Sequence, residues 1–274
     1  MLWSNVLQLI ALHPLTGWGW GELDYAHFDT LYAGGTGARF CDILDNAHNL
    51  PLHLAVELGV PAALLVCGAS ALWAWRQQPW RESASLRQLA WAVLALVLLH
   101  SLLEYPLWYA PFQIVSGAAL GWLMRPEAGE DTAPAARLPA AIAAVLLLGA
   151  TGYAAWDYTR VSQIYLPPEQ RRARWSEDTL DHVRHSWLFA GQARFADLTL
   201  VNPQRDNAQW MHELSRQVLH YSPEPRVIER AIESATYLGQ VDEAVLMLAR
   251  YRAAFPREYE AWRQAQRMPL QFSR

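Results

Sequence analysis

The distribution of charge along this chain constrains its fold more than any other feature. Up to about residue 156 the sequence is apolar and nearly free of charge over about four runs, at 51–75, 89–103, 107–124 and 138–156, with Trp or Tyr near their ends. Beyond residue 156, Arg, Glu, Asp and His become frequent. The mean hydropathy near zero averages these two unlike halves. A helix needs ~20 apolar residues to cross the hydrocarbon core, so the second and third runs are short. They flank Glu104-Tyr105-Pro106 and suggest a hairpin whose tip lies at the interface. Buried helices of a soluble protein also produce such runs, but a succession of them favours a membrane. The expected fold is therefore all-α: a polytopic membrane helix bundle of about four spans, then a soluble helical domain.

The short loops suggest an orientation. Arg76, Arg81 and Arg87 stand against Glu82, and Arg125 and Arg137 bracket a later loop diluted by Glu127, Glu130 and Asp131. The positive-inside rule puts both loops in the cytoplasm. Three domains follow: a periplasmic loop over 1–50, a transmembrane region over 51–156, and a periplasmic helical domain over 157–274. The expected location is a bacterial inner membrane, crossed several times.

Other classes find little support. A net charge of -4 does not suggest nucleic-acid binding, and Arg171, Arg172 and Arg174 read as a solvated helix face. Cys41 lies in a polar loop and Cys67 deep in an apolar run, so a bridge between them is not expected. No zinc-type spacing, signal peptide or strained G-x-S-x-G turn is visible. Gly34-Gly35-Thr36-Gly37 is a flexible stretch, not a phosphate loop, because no Lys-Ser/Thr follows it. Residues 2–12 read as an amphipathic helix. In the tail, Asn202-Pro203 and Ser222-Pro223 break helices, and 227–255 resembles one tetratricopeptide-like helix pair.

The chemistry gathers at the ends of the apolar runs. Asp45-Asn46-Ala47-His48-Asn49-Leu50-Pro51 precedes the first run, and His53 and Glu57 follow within it, one helical turn apart. Ionisable groups at membrane depth are costly, so they suggest a site. His48 could take a proton from an attacking hydroxyl near neutral pH. Equally, it is an interfacial His beside a helix start, with Asn49 as N-cap before Pro51. His53 and Glu57 could be a mutually satisfied pair. Glu104, with Tyr105 and Tyr109, could orient an acceptor or the catalytic His, or simply hold the hairpin tip out of lipid; His100 could pair with Glu104. Trp18, Trp20 and Trp108 suit sugar stacking or interfacial anchoring. Arg39 could meet a phosphate or remain solvated.

These motifs resemble a known family. His13-Pro14-Leu15-Thr16-Gly17-Trp18-Gly19-Trp20-Gly21, then His48-Asn49-Leu50 and Glu57-Leu58-Gly59-Val60-Pro61, are similar to the second half of the O-antigen ligase/polymerase superfamily. His100-Ser101-Leu102-Leu103-Glu104-Tyr105-Pro106-Leu107-Trp108-Tyr109 resembles its pilin-type protein O-oligosaccharyltransferase branch. The resemblance implies transfer of an oligosaccharide from undecaprenyl pyrophosphate to a hydroxyl on the periplasmic side. The acceptor is a protein Ser or Thr, or lipid A-core in the ligases. The family's essential loop histidine matches His48; Asn49, Arg39, Glu57, Glu104, Tyr105 and Tyr109 become candidate substrate-binding residues. No metal or other cofactor is implied, because pyrophosphate is already a good leaving group. Family members are commonly much longer, with further spans and loop arginines before this region. This chain is therefore expected to be the C-terminal part of such an enzyme, inactive without the missing N-terminal half. The alternatives are an O-antigen polymerase and a truncated, non-catalytic membrane-anchored binding module.

Overall fold

A computed structural model describes residues 1–34, 37, 39–40, 42–125 and 134–267. Gly35, Thr36, Cys41, Glu127, Glu130, Asp131 and the side chain of Arg137 lie outside the described residues. Among the described residues every regular element is a helix, and no strand forms. The chain divides into two units, residues 1–125 with 248–274, and residues 126–247. Sequence reasoning draws its boundaries at 50 and 156 instead.

The first unit opens with α1 (Leu2–Leu12), α2 (Leu23–Asp29) and α3 (Leu50–Leu58). Val6 and Leu9, a helical turn apart, are fully buried against Leu23, Ala26, Tyr32, Leu44, Ala47 and Val56. The described part of residues 1–50 thus packs around α3. Side chains tie the loops to it: Phe40 N–H donates to Asn5 Oδ1 at 2.9 Å, and Trp3 Nε1 donates to Ala47 O at 3.0 Å. Trp18 Nε1 donates to Leu9 O at 3.0 Å.

The apolar run at 51–75 is two helices. α3 stops at Leu58 and α4 (Val60–Gln77) starts beyond Gly59, whose φ of 88° and ψ of 159° only glycine adopts readily. The glycine-aromatic turn is what breaks it. Trp18 N–H donates to Val56 O and Gly19 N–H to Glu57 O, both at 2.9 Å, and Val60 N–H donates to Pro14 O at 2.8 Å. Backbone lies on backbone here: a Cβ on Gly17 would sit 2.3 Å from Glu57 O, and one on Gly59 2.2 Å from Leu15 O.

α5 (Ser85–His100) and α6 (Ala110–Leu123) form a hairpin around Ala90, Leu94, Ala119 and Leu123. Arg87 Nη1 donates to Leu123 O at 3.1 Å, fixing the ends of both helices together. Arg76, Arg81, Arg87 and Arg125 therefore share one end of the α4–α6 group, and Glu104 lies at the other. Leu64, Leu65, Leu96, Leu99 and Ile114 on these helices stay exposed, as suits a lipid-facing surface. Yet α4, α5 and α6 are only 18, 16 and 14 residues long. Among the described residues a single helix is long and apolar enough to cross a membrane, over Leu138–Tyr165. The expectation of about four spans is met by length and composition in that one case.

That helix, α7 (Pro134–Val161), begins the described part of the second unit. α8 (Thr179–Val183), α9 (Ala190–Leu200), α10 (Ala208–Leu219), α11 (Pro225–Tyr237) and the start of α12 (Val241–Ala254) follow. The breaks at Asn202-Pro203 and Ser222-Pro223 fall between helices, because Pro cannot continue the hydrogen-bond ladder. The span 227–255 takes in most of α11 and all of α12, joined through Gly239 at φ 73°. α11 packs chiefly on α10, burying Val227, Ile228, Ala231, Ile232 and Ala235. The end of α12 and α13 (Pro256–Arg267) belong to the first unit, where Arg250 pairs with Asp29 at 2.7 Å.

Candidate active site

Local chemistry sets the shape of the loop before α3. Asn49 caps that helix, accepting from Leu52 N–H at 3.0 Å, and Pro51 occupies its first turn. Asn46 Oδ1 accepts from the His48 N–H at 2.9 Å and holds His48 at φ 50°, a left-handed conformation that costs a non-glycine residue about 1 kcal/mol or more. The loop then docks on the turn after α5. Leu50 N–H donates to Ser101 O at 2.8 Å, and Asn49 Nδ2 donates to Leu102 O at 2.9 Å.

This docking brings together residues far apart in sequence. His48 Nδ1 lies 2.9 Å from Glu104 Oε2, and the His48 ring meets Tyr105 edge-on with centroids 4.8 Å apart. Tyr105 stacks on Tyr109 at 5.6 Å. A hydrogen bond with Tyr109 pushes the Tyr105 phenol up to about 12, so it stays protonated at neutral pH. Both members of the His48–Glu104 pair are reachable from solvent, with side-chain exposures of 36% and 52%. A carboxylate facing Nδ1 favours the tautomer with the proton there. Nε2 is then left with a lone pair that can accept a proton.

His53 and Glu57 sit beneath, each 3% exposed, with Nε2 and Oε2 3.5 Å apart. The His53 ring rests edge-on against Trp108 at 4.9 Å, and the Gly21 N–H reaches the Glu57 carboxylate. This pair supports the loop from inside. His100 packs on Phe112 at 5.6 Å, and the imidazole opposite Glu104 is His48. Arg39 lies inside the fold, 3% exposed, donating to Thr30 O at 2.9 Å with its guanidinium over Tyr32. Trp18 is spent on Leu9, while Trp20 stands 68% exposed. Sequence reasoning missed the role of Asn46; the signal was there, because an Asx turn uses Asn two residues before the amide it holds. Among the described residues no group of three or more His, Cys, Asp or Glu is set to hold a metal.

Buried titratable groups lie nearby on α2. Burial pushes Asp24 up to about 7, helped by the charges of Glu22 and Asp45 and opposed by the Tyr25 N–H. Burial, then the charge of Arg39, lowers His27 to about 4. The two act oppositely on stability. The Asp24 contribution is full below about 4 and is lost as pH rises towards 7; the His27 contribution is full above about 6.5 and is lost as pH falls towards 4. Asp24→Asn should therefore gain melting temperature over the wild type progressively from pH 4 to 7 and hold that gain above it. A difference independent of pH would contradict the buried-carboxylate account.

Comparison with known proteins gives two family matches. Residues 88–268 match the family model described as virulence factor membrane-bound polymerase, C-terminal, and residues 1–67 match that described as O-antigen ligase. A general O-oligosaccharyltransferase of Acinetobacter baylyi (strain ATCC 33305 / BD413 / ADP1) is 29% identical over 133 residues, which cover 48% of this chain and 22% of that relative. The match thus spans about a fifth of the relative's length. No solved structure matches. The matches support glycosyl transfer at a membrane.

Proposed function

The chain belongs to the family described as virulence factor membrane-bound polymerase, C-terminal, and from that premise we propose that it carries the acceptor-activating part of a membrane glycosyltransferase. The donor is an oligosaccharide on undecaprenyl pyrophosphate, and the preferred acceptor is a Ser or Thr hydroxyl of a protein. The observation that carries this reading is the His48–Glu104 pair, held by a docked loop and open to solvent.

The step is a displacement at the anomeric carbon. The acceptor oxygen bonds to that carbon as the bond to the pyrophosphate oxygen breaks. The acceptor proton passes to His48 Nε2, and the Glu104 carboxylate steadies the imidazolium across Nδ1. Tyr105 and Tyr109 line the approach as hydroxyl-bearing rings, and Asn49 holds the loop in register. Glu57 acts from below, through His53 and the Gly21 amide. Arg39 braces the loop that carries the site. Asp45 and Glu104 make the surroundings of Tyr105 acidic, which suits a base. The leaving pyrophosphate then needs cationic groups from another part of the enzyme.

An apolar cleft of about 560 Å³ gives the donor tail a place to lie. It runs between α4, α5 and α6 from Pro79 and Trp91 to Leu107, next to Trp108. In this reading α4–α6 and α7 are membrane-embedded in an inner membrane. The arginine end faces the cytoplasm, and His48 and the soluble tail, with its tetratricopeptide-like pair, face the periplasm. The word polymerase in the family description favours one second reading, in which the acceptor hydroxyl belongs to another lipid-linked glycan.

Mass spectrometry of periplasmic proteins, beside a lipopolysaccharide ladder, separates the acceptors in cells with and without the gene. Glycan lost from Ser or Thr supports the protein acceptor; loss confined to lipopolysaccharide overturns it. Glu104→Gln should lower the turnover of transfer about tenfold or more with little change in the apparent KM for donor, since it acts on the developing imidazolium. An unchanged turnover would remove Glu104 from the mechanism.

A further inference from the structure

The second unit carries an apolar tip whose height is fixed by α7. The apolar helical stretch Leu138–Tyr165, which is α7 from Leu138 on with the single 3-10 turn that follows it, buries none of its apolar window in the protein. A crossing of ~30 Å uses about 20 residues, so a hydrocarbon layer entered at Leu138 ends near Asp157. Tyr153, Trp156 and Tyr158 are exposed around that level, as residues of an interfacial belt are. Asp157 itself is fully buried. Arg160 Nε donates to Asp157 Oδ1 at 3.1 Å, and the Arg160 guanidinium stacks over Trp156 at 4.6 Å.

The turn before α9 is fastened to this point. Ser186 Oγ donates to Asp157 Oδ2 at 2.8 Å and accepts from Phe189 N–H at 2.9 Å. The Phe189 ring lies against Tyr158 at 6.0 Å. Between these two anchored residues, Trp187 is 78% exposed and Leu188 is 43% exposed. A rigid turn that presents Trp and Leu to water would lose the burial both side chains favour. At the headgroup level the same pair is well placed, because Trp suits the boundary and Leu the acyl region.

We infer that the Trp187-Leu188 tip is an interfacial membrane anchor, seated in the headgroup layer of the leaflet where α7 emerges and holding the second unit down on the bilayer. The tip contacts lipid without spanning it. The inference needs α7 to cross the membrane and is independent of the transferase reading.

Spin labelling tests it on the full chain. Trp187→Cys and, separately, Leu188→Cys are made in a Cys41→Ser, Cys67→Ala background, labelled, and reconstituted in phosphatidylethanolamine–phosphatidylglycerol nanodiscs. Leu146→Cys in α7 is the lipid reference, and Tyr237→Cys at the end of α11 is the water reference. The expected result at both tip positions is an oxygen-to-nickel accessibility ratio several-fold above that at Tyr237→Cys and well below that at Leu146→Cys, as a headgroup-level position requires. A ratio like that at Tyr237→Cys at both positions overturns the anchor. So does a tip shielded from both reagents, which would mean a protein contact. Either failure leaves the His48 chemistry untouched, because transfer activity is read separately.

Discussion

His48→Ala, made in the longest in-frame polypeptide that carries these residues, is expected to cut glycan transfer by about 10²–10⁴-fold, the scale of a lost general base. The fold should survive. The His48 side chain is half-exposed, and its polar partner is the exposed carboxylate of Glu104, a kind of pair worth about 1 kcal/mol or less. His48 holds a left-handed backbone at φ 50°, so Ala there pays a modest strain; His48→Asn, which tolerates that region, is the companion variant. Both should express and melt nearly as the wild type does while transferring little glycan. Normal transfer by both variants would reduce His48 to a residue that shapes the loop.

Gly59→Ala should act in the opposite way, destroying the site by unmaking the fold around it. The new Cβ would lie 2.2 Å from Leu15 O, which belongs to a backbone pinned by three hydrogen bonds between Pro14–Gly19 and Val56–Val60. The backbone at φ 88° and ψ 159° is nearly closed to alanine in any case. Strain and overpacking together cost about 3 kcal/mol or more, a large share of the stability of a small unit. Gly17→Ala approaches the same contact from the other side, 2.3 Å from Glu57 O. Gly68→Ala is the control, a glycine inside α4 with nothing within 4 Å of the added carbon. The expected readout is loss of a monodisperse peak and of melting cooperativity for Gly59→Ala and Gly17→Ala, with Gly68→Ala unchanged or more stable. A Gly59→Ala variant that melts with the wild type would refute the close packing of the two motifs.

Some of this architecture is written locally. The helix over 2–12 is legible because its apolar residues recur at helical spacing. The start of α3 is legible because Asn and Pro mark the end of a helix chemically. The His53–Glu57 spacing is equally local. The break at Gly59 is different. The run 51–75 stays apolar on both sides of Gly59 apart from His53 and Glu57, and what interrupts it is a backbone contact with residues some 40 positions earlier. The hairpin is similar: apolar content continues through 101–103 and 107–108, but Pro106 and the hydrogen bonds around His100 turn the chain before the hydrophobicity ends. Each half of the candidate site can be found as polar residues at the end of an apolar run. That His48 meets Glu104 follows only once α4 and α5 have carried the chain away and back. The burial of Arg39 has no sequence signal, because it depends on Tyr32 and Thr30 folding over it.

The most direct test supplies donor and acceptor to the longest in-frame polypeptide that carries these residues, purified and reconstituted. Undecaprenyl-pyrophosphate oligosaccharide is mixed with a periplasmic protein acceptor, and intact masses are followed in time. The acceptor should gain the mass of the oligosaccharide while an equal amount of undecaprenyl pyrophosphate appears, and neither change should occur with His48→Ala. An acceptor unchanged by that folded wild-type polypeptide, whether protein, lipid A-core or a second glycan is offered, would contradict the transferase reading.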